Sequence, residues 1–345
     1  MSRKIWTADR LFPTAPAFEF LDHVPAAIHM ALFLISLLFI SLVFVRNNKF
    51  FLMGLMVVEI LSCLLDQNRW LPWEYLYLFI LFIYLTNTVT PKQIVACIIF
   101  LLVSTYFYSG LCKLNEGFVQ IVWINMVLRG FFKLPAYFYN NPWVHYAGYL
   151  SGIVELLSGI GLLFKKTQRI SAWILITTHL FILILLGPLG FRGYQVLWPW
   201  NIAMILFLYI IFLKKGETAI AFPAIFTKWN MLVFICWGIL PALSFFGYWD
   251  KNLSSNLFSA NLPGMIICVK DTSACKPLQR FCYKKDNLNL CNGEAKIDIQ
   301  SWVRAETNVA AYPEVRVFRI IQAKLEKQYP AAGLSFVYLN NDAKK

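Results

Sequence analysis

The stretch QIVACIIFLLVSTYFYSGLCKL, Gln93–Leu114, decides the fold class. It stays apolar over the roughly 20 residues that a helix needs to cross a hydrocarbon core, and its first charge is Lys113, one residue from its end. Similar runs lie at Pro25–Val45, Phe50–Asp66, Trp73–Thr88, His145–Phe164, Ile170–Gly187, Gln195–Leu213 and Trp229–Trp249. Of 345 residues, 59% are hydrophobic and only 14% charged, and mean hydropathy is +0.60. An average soluble domain carries about 25% charged residues, so an ordinary soluble enzyme is excluded. The expected architecture is an all-α polytopic membrane bundle of about eight transmembrane helices in a lipid bilayer.

Three stretches need separate treatment. Residues 1–24 are polar and contain proline, and form an N-terminal interfacial segment. No small-residue cleavage site follows Pro25–Val45, so that run is read as a retained first helix. Val119–Phe132, interrupted by Asn125 and Arg129, suits a re-entrant or interfacial helix better than a ninth span.

The formal charge of +13, 31 Lys plus Arg minus 18 Asp plus Glu, sits mostly in short loops. That placement describes topology rather than a nucleic-acid partner. Arg46, Lys49, Lys92, Lys165 to Arg169, Lys214, Lys215 and Lys228 fall on one side of an eight-span arrangement, and Arg69 and Arg192 on the other. The positive-inside rule then puts both termini outside the cytoplasm, with Arg3, Lys4 and Arg10 arguing the other way. An inner-membrane protein with a periplasmic C-terminal domain is expected.

Residues 25–249 are read as the transmembrane domain and 250–345 as a small α+β domain. Cys63, Cys97, Cys112 and Cys236 lie in apolar runs, where a thiol acts as a small hydrophobe. Cys268, Cys275, Cys282 and Cys291 cluster in the polar tail, separated by six, six and eight residues. No CxxC pair or histidine offers a zinc template there, so two disulfides are expected in any of three pairings, which requires an oxidising compartment. Strands are expected at Met265–Val269 and Leu334–Leu339, and helices at Asp298–Thr307 and Pro313–Gln328.

Chemistry must come from polar groups within the apolar runs, where each is costly. Lys113 follows Tyr106, Ser109 and Gly110 within two helical turns, and is either a desolvated base or a lysine snorkelling from a helix end. Glu155 shares a small, polar stripe with Ser151, Ser158 and Gly159, beside Gly148 and Gly152 at small-xxx-small spacing; it is a functional carboxyl or part of a packing face. His179 is a proton carrier or a hydrogen-bonded interior histidine. Glu59, Arg129 and Asn201, the last beside Trp198 and Trp200, are lesser candidates. With no second ligand at helical spacing, a haem or copper site is not expected, and no repeat or pair of broken helices marks a transporter.

TYFYSGLCKLNEGFVQ, Thr105–Gln120, resembles a segment of the vitamin K-dependent gamma-glutamyl carboxylase and HTTM (horizontally transferred transmembrane) superfamily. There a tyrosine-rich helix ends in a small-Gly-x-x-Lys-Leu run. PALSFFGYWDKNLSSNLFSANLPG, Pro241–Gly264, is similar to the end of the membrane part in HTTM and DoxX-like proteins, and DQNRWLPWEYLYLF, Asp66–Phe79, to a loop of the same group. The resemblance implies that Lys113 is an active-site base that deprotonates a reduced quinone of the menaquinone or vitamin K type. His179 corresponds loosely to a helix histidine of that family, and Tyr106 and Asn201 are taken from their positions as the candidate cofactor contacts. Cys112 replaces a neighbouring lysine of the carboxylase motif, and Trp73 a histidine before the Tyr-Leu-Tyr run. The large lumenal region of carboxylases has no counterpart.

Two functions follow. One is a membrane component of a bacterial envelope assembly whose external domain docks a partner protein. The other is a quinone-linked oxidoreductase or carboxylase-like enzyme with Lys113 as base and Glu155 or His179 passing protons. They part on whether Lys113, Glu155 and His179 meet at one cavity.

Overall fold

A computed structural model describes residues 3–339, apart from 47, 88–89, 192–194, 215–221, 257 and 285–288. Arg192 and Lys215, used above for topology, lie outside the described residues. The fold is mostly helical, and among the described residues four helices are long and apolar enough to cross a membrane: Ala26–Val45, Pro91–Cys112, Gln168–Leu186 and Leu197–Lys214. Each matches one of the eight expected runs. The other four do not make spans of this kind, and the count of eight is corrected. Lys49–Leu65 and Pro72–Thr86 stop at 17 and 15 residues. Pro142–Gly161 has 20 residues, but its Tyr, Ser and Gly content and Glu155 leave it outside the four. Trp229–Trp249 forms one helix, Asn230–Phe246, that passes through a π-helical turn at Ile235–Ile239 and stays shorter than the four. Phe118–Phe131 is a π-helix of 14 residues.

The chain divides into two compact units, Met1–Leu71 with Leu262–Lys345, and Pro72–Asn261. The sequence reading set its boundaries at 24/25 and 249/250 instead. In the first unit the N-terminal segment and the Ala26–Val45/Lys49–Leu65 hairpin belong with the C-terminal residues.

The fastening of this unit is polar. Asp66 follows the Lys49–Leu65 helix and accepts from the backbone N–H of Ala15 at 3.1 Å, from the Asn68 side chain at 2.9 Å, and from the Arg10 guanidinium. Arg69 is fully buried, and so is no loop charge of the kind the topology argument assumed. It donates to the carbonyls of Ile5 at 2.9 Å, Ser62 at 2.9 Å and Trp6 at 2.8 Å, and to Nδ1 of His29 at 2.7 Å. Burial alone would raise the Asp66 carboxyl, but the Arg10 and Arg69 guanidiniums and the hydrogen bonds reverse this and hold it at about 2. A second carboxylate, Glu306, accepts from the backbone N–H of Phe12 at 2.8 Å, from Trp302 Nε1 at 3.1 Å and from Arg280 at 3.1 Å. Asn68 accepts from the Tyr312 backbone N–H at 3.2 Å.

The sheet is antiparallel in the order β2-β1-β3, with β1 Gly264–Val269, β2 Ala295–Asp298 and β3 Leu334–Leu339. Ile266 pairs with Asp298 and with Val337, so the expected pairing of the last strand with the first is present. Helices Ile299–Thr307 and Val315–Gln328 follow β2, the first capped by Asp298, which accepts from the backbone N–H of Gln300 and Ser301. Val317, Phe318, Ile321 and Leu325 bury one face of the second.

The expectation of two disulfides is corrected to one. Cys291, in the turn before β2, is bonded to Cys268 of β1, with Cα atoms 5.4 Å apart. Cys275 and Cys282 are free, because each thiol turns into the backbone of its own turn: Cys275 towards the carbonyls of Asp271 and Thr272, Cys282 towards that of Leu278.

Asp66 sets a testable acid limit. Its carboxylate adds stability that is full above its ordinary 3.8 and is lost as pH falls through about 2, amounting to about 2 kcal/mol. Denaturant unfolding in detergent is expected to show this loss between pH 4 and 2, and Asp66→Asn to cost about 3 kcal/mol at neutral pH by stranding the guanidiniums. A variant with wild-type stability and acid profile would contradict this.

Candidate functional site

The second unit holds Pro91–Cys112, Pro142–Gly161, Gln168–Leu186 and Leu197–Lys214. Tyr106, Ser109 and Lys113 recur at helical spacing, and so share one face at the end of Pro91–Cys112. That face meets Pro142–Gly161 at its glycines. A Cβ on Gly110 would lie 2.5 Å from the Leu156 backbone N and 2.6 Å from the Gly152 carbonyl oxygen. One on Gly159 would lie 2.9 Å from the Tyr106 Cβ. The helices therefore touch backbone to backbone, as small residues allow in membrane bundles.

Close approach brings Lys113 Nζ into an ion pair with Glu155 Oε2, and Nζ also donates to Ser109 Oγ at 3.1 Å. Their side chains are only 13% and 11% exposed. Lys113 is thus neither a snorkelling lysine nor a free amine: it holds a buried carboxylate.

On the other wall stands a hydrogen-bonded row. Asn201 Nδ2 donates to the Leu197 carbonyl at 2.8 Å, which turns its Oδ1 towards His179 Nδ1 at 2.7 Å. An oxygen there accepts, so Nδ1 carries the imidazole proton and Nε2 is left as an acceptor. The Tyr106 hydroxyl, 2.8 Å from Nε2, therefore donates to it. The tautomer follows from the network.

Tyr106, Lys113, Glu155, His179 and Asn201 all line one cavity of about 70 Å³. All five residues singled out from sequence for catalysis or cofactor contact are thereby brought together. The sequence reading missed Pro72, Thr105, Met204, Ser255 and Phe258 on the same walls. Ser255 and Phe258 sit in the left-handed region, φ 55° each, a conformation costly for non-glycine residues that clusters at functional sites; no periodic signal reveals such a loop. Arg129 is exposed on the π-helix and does not reach the cavity, and Glu59, bonded to Ser36, belongs to the first unit.

A larger groove of about 550 Å³ adjoins the cavity and shares Lys113, Glu155, Ile182 and Phe258 with it. Its remaining walls are mainly apolar, among them Val122, Met126, Val154, Phe181 and Leu185. The charge pair stands where the smaller cavity meets this groove.

No family model, curated protein or solved structure matches the chain.

The glycine contact is open to test. Gly110→Ala is expected to cost about 1–3 kcal/mol, since the added carbon meets backbone atoms that cannot rotate away. Thermal unfolding in detergent measures it against Ser151→Ala, and an unchanged midpoint in Gly110→Ala would show that the helices do not touch there.

Proposed function

We propose that this chain is a membrane-embedded enzyme acting by acid–base chemistry on a reduced quinone, with Lys113 and Glu155 as its base. The convergence of Lys113, Glu155 and His179 on one cavity carries the reading. A buried ion pair is a poor device for stability, since apolar replacements are often neutral or more stable by about 1–4 kcal/mol. Its retention beside a cavity with a tyrosine and a histidine supports a chemical role.

Size favours an amphiphile over a small polar molecule. A chamber of about 70 Å³ is half of the roughly 150 Å³ that takes benzene, so an aromatic ring would extend into the groove with its hydroxyl at the pair and its chain along the apolar wall. A reduced quinone supplies an acidic aromatic hydroxyl and two electrons. Lys113 becomes a base by passing one proton along the existing hydrogen bond to Glu155. The amine then takes the hydroxyl proton, and the resulting ammonium stays beside the oxygen it came from. The net change is one proton gained by the Lys113–Glu155 pair and one lost by the substrate. An inner-membrane location with the disulfide-bonded domain on the oxidising side accords with this reading.

Oxygen-dependent oxidation of menaquinol by the protein in nanodiscs tests it. Lys113→Met is expected to lower turnover by about a hundredfold or more, and so is the paired replacement Lys113→Met with Glu155→Met, which strands no buried charge. Absence of menaquinol turnover in the wild-type protein would overturn the proposal.

The partner-docking role is a second reading, favoured by β3 standing at the edge of its sheet, where a strand of another protein could add. Ser335 is exposed on that strand. A photo-crosslinker there is expected to capture one discrete envelope protein in cells; no adduct would sink this second reading.

A further inference from the structure

We propose that Tyr106, His179 and Asn201 form a second acid–base centre facing the same cavity, in which Tyr106 exchanges a proton with the bound acid and His179 stores it. The inference rests on the enzyme reading of this cavity but names groups that the lysine base does not require.

Every hydrogen bond in the row points one way: the Tyr106 hydroxyl donates to His179 Nε2, His179 Nδ1–H donates to Asn201 Oδ1, and Asn201 Nδ2 donates to the Leu197 carbonyl. The Tyr106 oxygen is thereby left with lone pairs and no proton of its own to offer the cavity it lines. A phenol held so is an acceptor, and a proton arriving at its oxygen releases its own to Nε2. The logic matches that of a nucleophile, base and orienting group in a row, with a phenol in the first place and a carboxamide in the third.

The row is deeply buried. Tyr106 is 3%, His179 7% and Asn201 3% exposed. Among the described residues, the charged groups lining the cavity with it are Lys113 and Glu155. Asn201 adds no charge, so it acts as a positioning residue: it fixes the tautomer and holds the ring in register with Tyr106. An aspartate there would bind the imidazolium more tightly and hinder return of the proton.

The step balances. The O–H bond of the bound acid breaks and its proton joins the Tyr106 oxygen, while the Tyr106 proton moves to His179 Nε2. His179 becomes an imidazolium that keeps its Nδ1–H bond to Asn201. The anion left in the cavity is held by the Lys113 ammonium, and the reverse transfers restore every group. With the row and the ion pair on one cavity, two protons are exchangeable, as a diol acid such as a quinol requires.

Nitrogen-15 spectra of histidine-labelled protein in nanodiscs test this, with His179→Gln assigning the resonance. Without ligand, His179 is expected to be neutral with the proton on Nδ1. The probe is para-nitrophenol, an acidic phenol that reports its own ionisation by colour. Its saturation is expected to bring the phenolate absorbance and a His179 imidazolium signal in the wild-type protein. In Tyr106→Phe the imidazolium signal is lost, whereas in Lys113→Met it survives with weaker probe binding. With menaquinol, Tyr106→Phe and His179→Gln are expected to lower kcat about a hundredfold with KM changed less than about threefold, and Asn201→Ala to lower kcat less than either. The relay is overturned if His179 stays neutral with the probe bound, if it becomes an imidazolium equally in Tyr106→Phe, or if the probe does not bind. If wild-type protein turns over no menaquinol but forms the imidazolium with the probe, the quinol reading fails and the relay stands.

Discussion

Lys113 and Glu155 meet because two helices approach until their backbones touch. A lysine and a carboxylate within apolar runs are each expensive in isolation, and attraction offsets the loss of water only at short range. Gly110, Gly152 and Gly159 allow that range, since side chains at these positions would hold the helices apart. The cavity follows from the same contact. Tyr106 and Lys113 are displayed on one face of Pro91–Cys112, and Gln168–Leu186 and Leu197–Lys214 add His179 and Asn201 opposite them.

The first unit solves a similar electrostatic problem to a different end. Asp66, Arg10 and Arg69 are buried, and their hydrogen bonds run to backbone carbonyls and N–H groups of the N-terminal segment. Few of their polar atoms face open space, so the group fastens chain to chain. Lys113 and Glu155 have few partners beyond each other and Ser109 and stand at a cavity wall. Satisfaction by backbone marks a structural charge, and a charge pair lining a chamber is available to a ligand.

The relation between sequence and structure differs from element to element. Four of the eight apolar runs became helices both long and apolar enough to span, whereas His145–Phe164 became a helix of equal length whose glycines, serines and Glu155 lower its apolarity. Trp229–Trp249 looked equally apolar, yet its helix, Asn230–Phe246, is shorter than the four and includes a π-helical turn at Ile235–Ile239. Arg69 read as a topology-setting loop charge and is buried, because a loop residue's surroundings come from segments distant in sequence, here Ile5, Trp6 and His29. The four tail cysteines were equivalent as spacings, and the fold brings Cys268 of β1 and Cys291 of the turn before β2 within bonding distance.

By itself the sequence determined the apolar helical class, two of the three strands and both α-helices of the tail, and the inventory of polar groups with chemical capacity: Lys113, Glu155, His179, Tyr106 and Asn201. Those features are local, fixed by run length, periodicity and residue type. Only the tertiary structure decided that these five groups share one cavity, that Lys113 is paired, that the histidine carries its proton on Nδ1, and that Ser255 and Phe258 close the wall. Helical periodicity shows which face a residue occupies but not which face of another helix it meets. That choice belongs to steric fit between distant segments, and here backbone contact at three glycines made it.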